Sequence, residues 1–219
     1  MKHIIRLTLY LLGLFITALG INLAIKSNLG VTPISAFTLS ISKITGFNFG
    51  TVTIVVYDIF VILQILILGR KFKFKSLLQT VFSFTFGYFL NSTAVLVNWI
   101  NIQSYSMQLI LMIISVVVTA LGAMLFLNMD IVPNAPEGFV LAICEKRDNN
   151  FPKMKILFDC MCVILAVVLS LLFLGNITSI REGTIISALL TGKLIGIFSK
   201  PFVQWLKKVA FYNKGGSKK

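Results

Sequence analysis

The sequence predicts an all-α integral membrane protein, with six transmembrane helices plus two short broken helices arranged as two inverted repeats. Three observations carry this. Hydrophobic residues make up 57% of the 219 and charged residues only 12%, against about 25% charged in an ordinary soluble domain. Six apolar stretches approach the ~20 residues needed to cross a hydrocarbon core. Residues 16–42 align without a gap on residues 118–144. The chain reads as one membrane domain, 1–219, with repeat 1 at 4–99, repeat 2 at 107–206 and a basic cytoplasmic tail at 207–219.

The expected spans are 4–25, 50–69, 77–99, 107–127, 156–175 and 185–206. The first follows Lys2 and Arg6 and could pass for a signal peptide, but it outruns a typical h-region and a mid-chain segment mirrors it. Two further apolar stretches, 29–42 and 131–144, are short. As helix each covers roughly 21 Å, less than a bilayer core. They contain "V-T-P-I-S-A" and "V-P-N-A-P-E-G", with prolines beside small polar residues.

Charge orients the spans. The net charge is +13, but the cations cluster between apolar segments and at the ends. That placement fits membrane orientation and excludes a nucleic-acid partner. If the short segments return to their side of entry and the N-terminus is cytoplasmic, 16 basic residues lie inside, including the "R-K-F-K-F-K" loop, and Lys26, Lys43 and Arg181 lie outside. If they cross fully, that loop moves outside and the count becomes 13 against 6. The first arrangement suits the positive-inside rule better and gives a multi-pass membrane protein with both termini cytoplasmic.

The aligned segments share eight identities: Thr17/Thr119 to Gly20/Gly122 in one run, then Leu23/Leu125, Phe37/Phe139, Leu39/Leu141 and Ile41/Ile143. Asp58 resembles Asp159, and Gly87 resembles Gly192. Each half reads as long helix, short broken segment, helix, helix. Three crossings per half give the halves opposite orientation, the plan of many secondary transporters. A pseudo-two-fold axis would then bring the two broken ends together near the midplane.

A helix that begins inside a membrane leaves backbone N–H groups that lipid cannot satisfy. Such an end carries partial positive charge and suits an anionic or carbonyl-bearing ligand. Pro33 and Pro136 fit first turns, and Thr32, Ser35 and Asn134 offer caps or ligand hydrogen bonds. A kink with no ligand is the plain alternative. Ionisable residues in apolar segments are costly and commonly functional or paired. They are Asp58, Glu137, Asp159 and Lys193, with Asp58, Glu137 and Asp159 as candidates for coupling. Lys193 lies about two turns into the last helix, where it would pair with an acid, Glu137 foremost, or bind a substrate carboxylate, snorkelling being the alternative. Asn91 is either a lining residue or half of an interhelical hydrogen bond.

Cys144, Cys160 and Cys162 have no metal-ligand spacing, and His3 is the only histidine. Neither a metal, a cofactor nor an enzymatic constellation is expected.

"A-L-G-I-N-L-A-I-K-S-N-L-G-V-T-P-I-S-A-F", the following "T-G-F-N-F-G-T" and "R-E-G-T-I-I-S-A-L-L-T-G-K-L-I-G" resemble the YitT/YczE-like family of bacterial integral membrane proteins, closest to its YczE-like branch. The resemblance spans nearly the whole chain and implies the fold rather than a chemistry. Threonine precedes the first proline where those relatives commonly read "G-P-W", and "P-N-A-P-E" stands where they tend to read "G-P-R-D". If that loop lines a site, the resemblance implies a different ligand here. The expected function is a small secondary transporter for a small polar or anionic organic solute, with proton coupling as a candidate, working in the lipid bilayer as a monomer or homodimer. The alternative is a non-transporting accessory, regulatory or scaffold protein.

Overall fold

A computed structural model describes residues 2–147, 149–177 and 179–206; the basic tail read at 207–219 lies outside them. The described residues form eight α-helices and no strand: α1 (Lys2–Ser27), α2 (Pro33–Thr45), α3 (Phe49–Leu68), α4 (Leu78–Leu96), α5 (Tyr105–Leu127), α6 (Ala135–Arg147), α7 (Phe151–Leu174) and α8 (Glu182–Leu206). Five segments are long and apolar enough to cross a membrane, at His3–Ser27, Phe49–Lys71, Tyr105–Leu127, Phe151–Leu174 and Glu182–Ser199. The expected sixth span falls on α4, which is 19 residues long but diluted by Gln79, Thr80, Ser83, Thr85, Asn91 and Thr93. The chain is accordingly an α-helical protein of membrane type.

The breaks have local causes. The α1 helix stops at Asn28 and the chain after α5 turns at Asp130, the two non-glycine residues of positive φ (57° and 50°) among those described. Asn and Asp tolerate that left-handed region better than most residues. Helix α2 restarts with Pro33 in its first turn and ends at left-handed Gly46; α7 carries Pro152 in its first turn and ends at left-handed Gly175. Proline lacks the N–H that a first turn leaves orphaned, and glycine has no Cβ penalty at a left-handed cap.

Helices α1 and α5 form the central pair. Arg6 bonds the Met129 carbonyl at one end, and Gly13 meets Gly122 and Phe126 while Gly20 meets Thr119 further along. As the number rises on α1 it falls on α5, so the two helices are antiparallel. Around them α4 packs on α1 and α8 on α5, α2 lies on α7 and α6 on α3, and α3 pairs with α4. Buried polar bonds lock these contacts. Asn22 donates to the Leu90 carbonyl and Thr93 Oγ1, each at 2.7 Å, and Ser40 meets Ser170 at 3.0 Å.

Candidate functional site

Residues 129–135 lead from the end of α5 into α6. Their backbone polar groups find partners on neighbouring helices. Arg6 bonds the carbonyls of Met129 and Asp130. Tyr10 Oη reaches the Val132 carbonyl at 3.4 Å. Gln64 Nε2 reaches the Ala135 carbonyl at 3.3 Å. Asn134 Oδ1 accepts from the Ala135 amide at 3.2 Å. Pro136 is buried in the first turn of α6. Beneath that turn Gly138 faces Gln64 and Gln79, which exchange bonds of 2.9 and 3.2 Å. A Cβ on Gly138 would come within 2.7 Å of both glutamines, so glycine is what lets α6 seat on the pair.

Glu137 leaves this turn toward α7. Lys155 Nζ lies 3.8 Å from Glu137 Oε1 and 2.8 Å from Asp159 Oδ1, and each of these side chains is about 30% exposed or less. The same ammonium stands 5.3 Å from the centre of the Phe158 ring, within reach of a cation–π attraction. Phe60, Phe139 and Phe158 pack on one another beside it. Glu137 Oε2 is buried and has no hydrogen-bond partner among the described residues. Two carboxylates share one ammonium, so the cluster carries a net negative charge when all three are ionised. The unused lone pairs of Oε2 are where a proton or a ligand donor would be accepted.

The other broken end sits elsewhere. Thr32 Oγ1 donates to Ser35 Oγ at 2.9 Å, with Pro33 buried between them. Thr32 lines a water-sized void of about 10 Å³ with Ile21, Ala24, Met112, Thr119 and Thr191. On α1 this level is that of Ile21, whereas the second broken end meets Tyr10. Eleven residues of helix separate the two by about 16 Å in height. The expected meeting of Thr32 and Ser35 with Asn134 and Glu137 in one midplane cavity is therefore corrected. The short helices pack on opposite partners, α7 and α3, and the α1–α5 pair is central to both.

Three further expectations resolve in the same way. Lys193 is exposed on α8, and the cation beside Glu137 is Lys155, which the sequence had placed in a loop. Asn91 Oδ1 accepts from the Gly50 amide at 2.9 Å, where it ties α4 to the start of α3. Asp58 faces α4, with Thr80 in hydrogen-bonding range and one carboxylate oxygen buried without a partner; it is separate from the Glu137 cluster. Asp159 does join that cluster. Tyr10, Gln64 and Gln79 escaped notice, although two glutamines in apolar helices are a readable signal. No group of three or more His, Cys, Asp or Glu suited to a metal occurs among the described residues.

A family model described as "Family of unknown function (DUF6198)" matches residues 4–200. The chain is similar to the uncharacterized protein YyaS of Bacillus subtilis (strain 168), 28% identical over 191 residues covering 86% of this chain and 90% of that protein. No solved structure matches.

Proposed function

This chain belongs to the DUF6198 family of unknown function, so no activity comes with its kinship, and from its own geometry we propose a small secondary transporter for a polar organic solute, coupled to protons at Glu137. The observation that carries this reading is the carboxylate of Glu137 in the first turn of the short helix α6, one oxygen buried and without a partner among the described residues, the other 3.8 Å from Lys155. A carboxylate in an apolar segment with spare acceptor capacity can take up a proton and release it as its surroundings change.

The inverted-repeat plan belongs to the same proposal. The antiparallel α1–α5 pair supports it, and so does the contact pattern. Exchanging the halves turns α2-on-α7 into α6-on-α3, and α4-on-α1 into α8-on-α5, all of which occur. Asn28 and Asp130, 102 positions apart, share the left-handed turn. With α4 counted as a sixth span and both termini cytoplasmic, the protein would sit in a bacterial plasma membrane, an architecture in keeping with the YitT/YczE-like resemblance. Glu137 and its neighbours suit a small polar solute; an anion would have to overcome the second carboxylate.

The test is proton movement in proteoliposomes loaded with a pH-sensitive dye and challenged with a panel of small polar and anionic solutes. The wild-type chain moves protons in response to at least one solute, and Glu137→Gln, folded to the same extent, does not. The rival accessory role is favoured by the separation of the two broken ends, since a scaffold needs no shared cavity. A folded wild-type protein that answers to no solute in the panel would shift the balance to it.

A further inference from the structure

The loop between α3 and α4 reads "R-K-F-K-F-K". Only Phe72 and Lys73 are extended; Lys71 ends one short 3-10 turn and Lys75 lies in the next. Phe72 packs against the core, while Phe74 is 86% exposed. Lys71, Lys73 and Lys75 line one cavity of about 280 Å³. Its far wall is α6, through Gly138, Leu141 and Ala142, and its floor is the Gln64–Gln79 pair, whose side chains are almost wholly buried. Asp130 and Glu145 also border it. None of the three lysines is in an ion pair within 4.0 Å among the described residues.

We infer that this cavity is a binding site for a monoanionic phosphodiester, either the headgroup of an anionic lipid or a free solute of the same chemistry. Three ammonium groups and two carboxylates leave one net positive charge. That balance suits a single negative charge and disfavours a polyphosphate, which would meet Asp130 and Glu145. Lysine binds phosphate oxygens as a point charge without a fixed geometry, and Gln79 keeps one amide hydrogen beyond its bond to Gln64. The exposed ring of Phe74 beside the comb is the kind of aromatic that sits at a membrane–water interface, at the level where a lipid headgroup lies. The sequence presents the same lysines only as an orientation signal. Their convergence on one cavity is what separates a site from diffuse surface charge. The inference does not depend on transport.

The experiment uses the full chain, purified and delipidated in a neutral detergent, with binding read by native mass spectrometry and by the thermal unfolding midpoint. The probes are dioleoyl phosphatidylglycerol, dioleoyl phosphatidylcholine and the water-soluble phosphodiester glycerophosphoglycerol. The wild-type protein binds phosphatidylglycerol in preference to phosphatidylcholine. The triple variant Lys71→Gln/Lys73→Gln/Lys75→Gln loses at least about tenfold in affinity, in keeping with three lysine contacts to an anionic headgroup. A control triple on the α6–α7 side, Lys146→Gln/Arg147→Gln/Lys153→Gln, keeps it. The single variant Lys73→Glu, which leaves two lysines in place, gives the same direction of change should the triple fold poorly. Competition by glycerophosphoglycerol assigns the site to a soluble solute, and binding of phosphatidylglycerol alone assigns it to a lipid. Equal losses in both triples, or no preference for either net-anionic phosphodiester over zwitterionic phosphatidylcholine, overturn the inference.

Discussion

Gly20 lies against the backbone of Thr119, so closely that a Cβ built on it would come within 2.6 Å of the Thr119 amide nitrogen. Gly122 faces Thr17 in the same way. Thr17 aligns with Thr119 and Gly20 with Gly122, so each threonine meets the glycine that aligns with the other's partner. That reciprocity is what the proposed two-fold relation between the halves requires. Small residues let apolar helices approach where lipid supplies no hydrophobic drive.

The first prediction follows from this seam. Gly20→Ala and Gly122→Ala each press a methyl into facing backbone and should destabilise by about 1–3 kcal/mol or more, read as a lowered unfolding midpoint of the detergent-purified protein. Gly192→Ala and Gly196→Ala should be near neutral, because nothing lies within 4 Å of a Cβ at either position. Equal effects at all four positions would contradict the packing described.

Removing Lys155 should cost more than removing the charge of Glu137. Lys155→Met strands two carboxylates, Glu137 and Asp159, whereas Glu137→Gln leaves the shorter 2.8 Å pair intact. These side chains are 27–29% exposed, so the loss for Lys155→Met should lie between the surface and buried limits, about 1–3 kcal/mol. Adding Glu137→Gln to Lys155→Met should restore part of it. A double-mutant cycle of melting curves checks the order, and additivity would argue against coupling.

Cysteine cross-linking tests the separation of the broken ends. In a background with Cys144, Cys160 and Cys162 replaced, cysteines at Ser40 and Ser170 should form a disulfide on oxidation, since the two hydroxyls are 3.0 Å apart. Cysteines at Ser35 and Asn134 should not. Efficient cross-linking of the second pair would restore a shared site.

Lys73 and Gln103 flank α4, a helix of 19 residues and about 28 Å. Single cysteines there should react from opposite sides of the membrane. Position 103 should label from outside intact cells and position 73 only in inverted vesicles. External labelling of position 73 would refute the inverted orientation.

The sequence by itself determined what kind of solvent this chain meets and where most of its helices lie. Hydropathy and span length follow from composition, and Pro33 and Pro136 mark the two short segments, whereas the left-handed turns at Asn28 and Asp130 and the start of α7 at Phe151 rather than 156 come from the structure. It also raised the expectation of a repeat, because "T-A-L-G" recurs with a proline at matched distance. What only the tertiary structure decided is which side chains meet. Lys155 looked like a loop cation because sequence places it four residues into a segment flanked by charges; the seating of α6 on α3 and beside α7 brings it to Glu137. Asn91 reads in the sequence as a lining group or half of an interhelical hydrogen bond, and the packing of α4 on α3 makes it the second, its Oδ1 accepting from the Gly50 amide. The two broken ends aligned in sequence, yet the antiparallel α1–α5 pair sets them at different heights. Register along a helix is written in residue order, whereas distance between helices depends on how closely glycines let them approach, and that is fixed only when the whole bundle packs.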